Sequence, residues 1–577
     1  MRSFSVSPLK LLNREHVAIV YNPPRLILLY VLWALALVSL ALAVTAGVHN
    51  YSPVPFGDMW PGDLLFYIAV SSGDQSHWLA QHNEHRIVLS RFLFWLDMEV
   101  LSGQTPFLQW LNYFLTFAIW ALLCRLASST LKEAAHDELL RYLPPLLLVL
   151  CFSLLQYENF YWGFQSQFFL VYLLPLGAFY CLGRFAGQGA EIGFWAACLL
   201  AILSAGAMAN GVLAAPILLL LGIVLRLRRW RVAILAVLAI LIPTIYFRGY
   251  VSPSGHGSLS LLWTEPGTAL TYLLLYLGSP FRHLVGGYAV VAKLMGGFLL
   301  LSSLFFLWRA LVQPRPFHMV LLALLLFIGA TALATASGRM MFGLEQALSY
   351  RYATPALMAW AALLILYFSW LTPVVVCRPA LLWLMLLIPI SFLPAQLFFQ
   401  SKNHFPDAFA GKAAVLSMQM GVQDQEARDR VAKNVPIWMQ DFIAQELTKR
   451  SLSIFSLPEL KHAAEPLGAV KSFAEAPTCL GHVDSLEPVP EDERYLRFRG
   501  WLAVPTAKAV PKSLDVADDS GRLQGRALIG GERPDVAKVI AAWARYSGFS
   551  GYVLRSAASS TLTLYGGSPA CQLQLNL

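Results

Sequence analysis

Apolar residues along this chain come in long runs. Eleven stretches, near 25–47, 105–126, 142–157, 167–185, 192–209, 211–226, 231–248, 289–310, 318–336, 352–371 and 380–399, carry few charges. A run of about 20 such residues is what a helix needs to cross hydrocarbon. After Gln400 the pattern changes, with charged residues, Pro and Gly at the frequencies of a soluble domain. A helical section, "DQEARDRVAKNVPIWMQDFIAQEL" (Asp424–Leu447), leads into short alternating segments such as "RYLRFRGWLAV", "GYVLRSA" and "STLTLYG". Period-two alternation between turn residues predicts half-buried antiparallel strands. The expected architecture is a polytopic α-helical membrane protein of about 11 transmembrane helices over 1–400, with a first outer loop at 48–104. A helical connector over 401–470 and a C-terminal β-sandwich over 471–577 follow, the latter with one short helix at "PDVAKVIAAWARY".

Basic residues orient the spans, because Lys and Arg collect in short cytoplasmic loops. Arg2, Lys10, Arg14 and Arg25 place the N-terminus on the cytoplasmic side. The inner loops then hold Arg125 with Lys132, Arg184, "RLRRWR" (Arg226–Arg231), "RALVQPRPFH" (Arg309–His318) and Arg378. An odd number of spans leaves the C-terminal domain periplasmic. The first apolar run is too long for a cleavable signal peptide, so the expected location is the inner (cytoplasmic) membrane of a cell envelope. The stretch "ALTYLLLYLGSPFRHLVGGY" (269–288) reads as re-entrant or interfacial, since Gly278, Ser279 and Pro280 break a helix at membrane depth. Counted as a twelfth span it would put "RALVQPRPFH" outside.

Composition supports this class: 57% of residues are hydrophobic and 13% charged, with a mean hydropathy of +0.58, where a soluble domain has about 25% charged. The net charge of +9 does not indicate nucleic acid, because many of the cations stand at the ends of apolar runs. Cys124, Cys151, Cys181, Cys198 and Cys377 are scattered through apolar stretches without metal-ligand spacing. Cys479 and Cys571 lie in the polar C-terminal region, and whether they pair depends on an oxidising compartment.

Polar and aromatic residues gather in the outer loops, whereas the inner loops hold little besides orienting charges. The first outer loop contains Asp58 and Asp63 in "FGDMWPGD", then His82, Glu84, His85 and Arg86 in "HWLAQHNEHRIVLSR". Asp58 is a candidate general base or a helix cap. Asp63, in the first turn of a helix, suits the dipole there. The histidine cluster lacks the H-E-x-x-H spacing; it reads as a metal or acceptor site or as a solvated face. In "QYENFYWGFQSQF", Glu158, Asn159, Trp162 and Gln165 mix amides and a carboxylate with rings. That is either an interfacial aromatic belt or a sugar site, with Glu158 as a second candidate base. Arg282, Arg339 and Arg351, near the outer boundary, are candidates for holding a phosphate, and Arg351 opens a span, where an unpaired charge is costly unless it snorkels to the head groups.

The acid just after the first span, the long first outer loop, the eleven or so spans and the extracytoplasmic β-domain resemble the membrane-embedded GT-C glycosyltransferases over about 400 residues. The resemblance implies transfer of a sugar from a polyprenyl-phosphate carrier to a glycan, lipid or protein acceptor on the outer face. It puts Asp58 at the position of the first-loop acid that serves as catalytic base or metal contact. The family's frequent paired acidic motif is not matched, since Asp58 and Asp63 are five apart, which leaves dependence on a divalent cation open. A lipid-linked glycan polymerase or ligase is the near alternative. A transporter is the more distant one, because no internal repeat is evident. Implied partners are the lipid-linked donor, the acceptor and membrane lipids.

Overall fold

The computed structural model describes residues 23–135, 138–189, 191–253, 255–283, 288–401, 407–557 and 561–575. Arg2, Lys10 and Arg14, on which the N-terminal orientation rests, lie outside them. The chain divides into two compact units. One takes in Met1–His49, Leu79–Ser90 and Gln109–Lys402, and the other Asn50–Trp78, Arg91–Leu108 and Asn403–Leu577.

The first unit is a bundle of apolar helices. Among the described residues nine are long and apolar enough to cross a membrane, including Pro23–His49, Phe107–Glu133, Ala289–Val312, Pro316–Phe342 and Tyr350–Cys377. Two shorter apolar helices, Glu191–Ala205 and Ala209–Val224, stand where the fifth and sixth spans are expected. Helix Ala289–Val312 shows why such segments need a lipid environment. Val290, Leu294, Phe298, Leu301, Leu304, Trp308 and Leu311 are exposed along it, an apolar stripe that water would not tolerate at this size. The 269–288 stretch overlaps a helix of 13 residues, Pro266–Gly278, ending in a tight turn at Ser279–Phe281, whereas a crossing needs about 20. It packs antiparallel on Ala289–Val312 at very close range. A Cβ on Gly278 would meet the Ala292 carbonyl at 1.7 Å, and one on Gly296 the Leu274 carbonyl at 1.9 Å.

The second unit joins pieces far apart in sequence. Trp60 is completely buried; its indole N–H donates to the Val431 and Pro55 carbonyls at 3.1 and 3.2 Å, and its ring meets Phe455 edge-on at 6.2 Å. Leu64 and Ile68 from the first loop share a core with Val415, Val431, Ile443 and Leu447 from the connector and with Tyr495, Leu528 and Tyr552 from the sheet. Connector and sheet are also pinned by Asp424, fully buried. Its two oxygens accept from Arg497 at 2.7 and 2.9 Å and from the Tyr552 hydroxyl at 2.7 Å. A two-pronged guanidinium contact of this kind offsets the cost of burying the charge.

The seven strands among the described residues, β1 (Leu480–Val489), β2 (Asp492–Ala503), β3 (Ser513–Asp518), β4 (Leu523–Gly531), β5 (Gly548–Leu554), β6 (Leu562–Gly566) and β7 (Cys571–Leu575), form a single sheet in the order β1-β2-β5-β4-β3-β6-β7. Every neighbouring pair is antiparallel. The two sheets of a sandwich are therefore replaced by one. Its outermost strands are brought together by the Cys479–Cys571 disulfide, and beside it the Cys479 N–H donates to the Gln572 carbonyl at 2.9 Å. The sheet thus closes around a core that includes Phe498, Leu514, Val516, Phe549 and Leu564. Alternation predicts which residues face inward, but a sandwich and a rolled sheet share that pattern, so only the closure distinguishes them. The expected helix at 534–546 is a six-residue turn of helix, Pro534–Val539, followed by a 3₁₀ turn.

The disulfide spans 92 positions, a loop whose closure is worth about 4 kcal/mol of chain entropy. Replacing Cys479 and Cys571 by Ser should leave the bundle intact and lower the melting temperature of the β-domain. Alkylation of unfolded parent protein without reductant should label five of its seven cysteines; labelling of all seven would contradict the pairing.

Candidate functional site

Segment 79–90 is held on the first unit by two clasps. The Arg86 guanidinium donates to the Tyr246, Leu79 and Arg248 carbonyls, at 3.1, 2.5 and 2.9 Å, and its backbone N–H to the Tyr246 hydroxyl at 2.8 Å. Gln81 exchanges hydrogen bonds with the Val251 backbone. Between them His82 and His85 pair backbone to backbone at 2.7 and 2.8 Å, a tight turn that requires Asn83 at φ +48°. An Asn tolerates that left-handed conformation better than most residues.

This turn presents Glu84, whose carboxylate accepts from Arg339 at 2.8 Å and lies 2.5 Å from His256 Nδ1. Burial opposes ionisation of Glu84, but the charges of His85, Arg339 and His256 outweigh it, and the net shift is downward. Burial holds His85 down to about 4, so at neutral pH the permanent cation Arg339 does most of this. The neutral His85 accepts from the Ala209 N–H at 3.3 Å through Nδ1. The ring of His82 meets Phe164 edge-on at 5.3 Å.

Arg339 is thus matched with an acid, whereas Arg351 and Arg282 have no ion pair among the described residues. Arg351 is half-buried with its Nε enclosed and unpartnered, and its guanidinium lies 5.6 Å from the centre of the Tyr352 ring. The Glu158 carboxyl faces its backbone N–H and senses its charge. Arg282 donates to the Leu348 carbonyl at 3.2 Å and lies 5.3 Å from the centre of the Tyr350 ring; its Nε too is enclosed and unpartnered. Tyr350 joins the two, stacked on His283 and tilted against Tyr157 at 4.8 Å.

Asn159 fixes the backbone of this cluster. Its amide donates to the Arg351 carbonyl at 2.9 Å and to Thr354 Oγ1 at 2.7 Å. Thr354 in turn donates to Gln156 at 2.6 Å, and Asn112 donates to the Asn159 and Trp162 carbonyls. Gln165 is buried with an unpartnered Oε1, and the Trp162 ring lies 5.5 Å from that of Phe164. The first unit therefore brings together Glu84, His85, Arg339 and Arg351, with Arg282 and Glu158 on the Arg351 side. It adds His256, Gln156 and Thr354, which sequence reading missed. His256 stands alone in a Ser/Gly-rich loop, and Thr354 is one polar residue inside an apolar span, so neither carried a signal.

Asp58 and Asp63 belong to the second unit. Gly57, at φ +55°, turns the chain just before Asp58, and its N–H donates to the Val431 carbonyl at 2.8 Å. Asp58 is half-buried, and its carboxylate has no hydrogen-bond or ion-pair partner among the described residues. It does not cap the helix that follows; Met59 is the capping position there, with no side-chain bond.

Asp63 is buried in a π-helical turn, Trp60–Leu64. Its carboxyl is raised well above the usual range, first by burial and then by the charge of Asp97. Burial lifts Asp97 itself to about 7, an acid set among the apolar residues of "FLFWLDMEV". Between an unfolded value near 4 and about 7, folded Asp97 holds a proton that the unfolded chain has released. Stability therefore falls as pH rises through that window. Asp97→Asn should remove this loss, on the order of 4 kcal/mol at about pH 8. The drop in melting temperature from about pH 5 to about pH 8 should shrink in the variant, and an unchanged drop would contradict the assignment.

No group of three or more His, Cys, Asp or Glu side chains is arranged to hold a metal ion among the described residues. Fold and site define a polytopic helical membrane protein with a rolled β-domain and a cationic, tyrosine-rich cluster at one end of its bundle. No family model matches the chain, and no curated protein is similar to it in sequence. Among solved structures, the crystal structure of the Archaeoglobus fulgidus oligosaccharyltransferase complex with Zn and sulfate is similar at 14% identity and a TM-score of 0.42. That similarity covers 68% of this chain and 56% of the archaeal one, a little over half of its length.

Proposed function

We propose that this chain is a membrane-embedded glycosyltransferase that moves a sugar from a polyprenyl-phosphate carrier to an extracytoplasmic acceptor. The observation that carries the reading is the pair of arginines, Arg351 and Arg282, left without a salt bridge among aromatic rings at one end of the bundle, with Glu158 nearby. Cations in such a place are expensive unless an anion completes them, and a phosphate leaving group is an anion that guanidinium forks fit. Aromatic faces with interleaved amides suit a sugar ring beside it.

The chemistry needs one more group. As the acceptor hydroxyl attacks the anomeric carbon its proton must go to a base, while the carbon–oxygen bond to phosphate breaks and the phosphate oxygen takes the electron pair. Asp58 is the base in this reading, since its carboxylate is uncommitted, while Glu84 is tied to Arg339 and His256. Glu158 is second choice. Asn159 positions Arg351 through its backbone, and Arg339 holds Glu84. The basic-loop pattern and the disulfide support a periplasmic C-terminal domain in an inner-membrane protein. A reporter active only in the cytoplasm, fused after Leu577, should stay silent.

Competition binding tests the phosphate. With a polyprenyl-phosphate-linked sugar bound to purified protein in nanodiscs, free polyprenyl phosphate should displace it and the corresponding polyprenol should not. Equal displacement by the alcohol would remove the arginines from the site.

A further inference from the structure

At the end of helix Pro316–Arg339 remote from Arg339, a cavity of about 210 Å³ opens between this helix and the helices Ala289–Val312 and Ala353–Cys377. A helix of 24 residues puts the two ends about 36 Å apart, so this cavity is separate from the Arg351 cluster. Arg309, Gln313, Arg315, His318, Ser369 and Trp370 line it.

The histidine is fully committed. Its Nδ1 lies 3.2 Å from Glu133 and its Nε2 2.9 Å from Ser369 Oγ. Glu133 also accepts the Phe317 N–H at 3.1 Å, which ties the carboxylate to the first turn of the helix. The arginines are not committed. Neither guanidinium forms an ion pair or hydrogen bond among the described residues, and Arg309 lies 5.5 Å from the centre of the Trp370 ring. The cavity therefore carries two cations with no free acid. Among its lining residues Arg309 and the Trp370 ring are exposed.

We propose that this cavity binds the phosphate of an anionic phospholipid, with Arg309 and Arg315 on the phosphate and the acyl chains passing the exposed Trp370 ring. A basic pocket between helices, on the side the basic-loop pattern assigns to the cytoplasm, is where such headgroups are held. The site is independent of sugar transfer, so it stands or falls separately from the function proposed above.

The test uses the purified full chain in neutral detergent, with binding of dihexanoyl phosphatidylglycerol read by native mass spectrometry. The parent should bind it about tenfold or more tightly than dihexanoyl phosphatidylcholine, whose choline places a cation beside the two arginines. Arg309→Ala/Arg315→Ala should lose about tenfold in affinity, Arg309→Lys/Arg315→Lys should recover part of it, and Arg378→Ala, at another basic loop, should bind like the parent. Glycerol 3-phosphate, added to the parent at the same concentration, should not displace the lipid. Full displacement by it would assign the cavity to a soluble phosphate ester and overturn the lipid reading. Equal binding of phosphatidylcholine, or parental binding by the double alanine variant, would overturn it as well.

Discussion

Asp58→Asn should insert and fold like the parent yet transfer sugar about 10²-fold more slowly or worse. The substitution keeps size and shape and removes only the ability to take a proton, and general-base catalysis is typically worth 10²- to 10⁴-fold. Folding should be indifferent. The turn is held by the Gly57 and Trp60 contacts to the Val431 carbonyl, none of which involves the Asp58 side chain, and no cap is lost because Asp58 caps nothing. Donor binding should survive too. Transfer by Asp58→Asn at near-parental rate would exclude it as the base, and Glu158→Gln would be tested next.

Arg351→Ala should have an effect of similar size, for a different reason. Charge builds on the phosphate as the glycosidic bond breaks, and removing one preorganised cation from a water-poor site costs about 10²- to 10³-fold in turnover. Arg351→Lys should restore only part, since an ammonium lacks the planar fork. Arg339→Ala is the informative contrast. It leaves the part-buried Glu84 beside His256 without its guanidinium, at a cost below the roughly 3–5 kcal/mol of a fully buried pair. Its loss should therefore show as a lowered melting temperature before any specific loss of turnover. A stable, fully active Arg351→Ala would move the phosphate to Arg282.

How much of this was readable in the sequence depends on the distance over which each feature is decided. The spans are local: a run such as 289–310 is apolar on all sides and needs no partner to be recognised. The strands are local in the same sense, since period two is visible within a few residues. The rolling of the sheet is not, because it depends on Cys479 meeting Cys571. The difference between Arg339 and Arg351 is decided at longer range still. Both are arginines near the end of an apolar run, and what separates them is Glu84, 255 positions from Arg339. Trp60 stands in the loop between two apolar runs, and its partner carbonyl is 371 positions away. Asp97 was a different case, a carboxyl among Phe, Leu and Trp whose raised pKa follows from its neighbours alone.

Sugar transfer of this kind consumes a lipid-linked sugar and releases its phosphate carrier. The direct measurement places purified protein in nanodiscs with a radiolabelled polyprenyl-phosphate sugar and a panel of envelope glycans, and follows free polyprenyl phosphate alongside label on the acceptor. The two should appear together in equal amounts, with Asp58→Asn producing neither. Persistence of intact donor with every acceptor, while proteoliposomes of the same protein move a solute across the bilayer, would contradict it and make the chain a transporter.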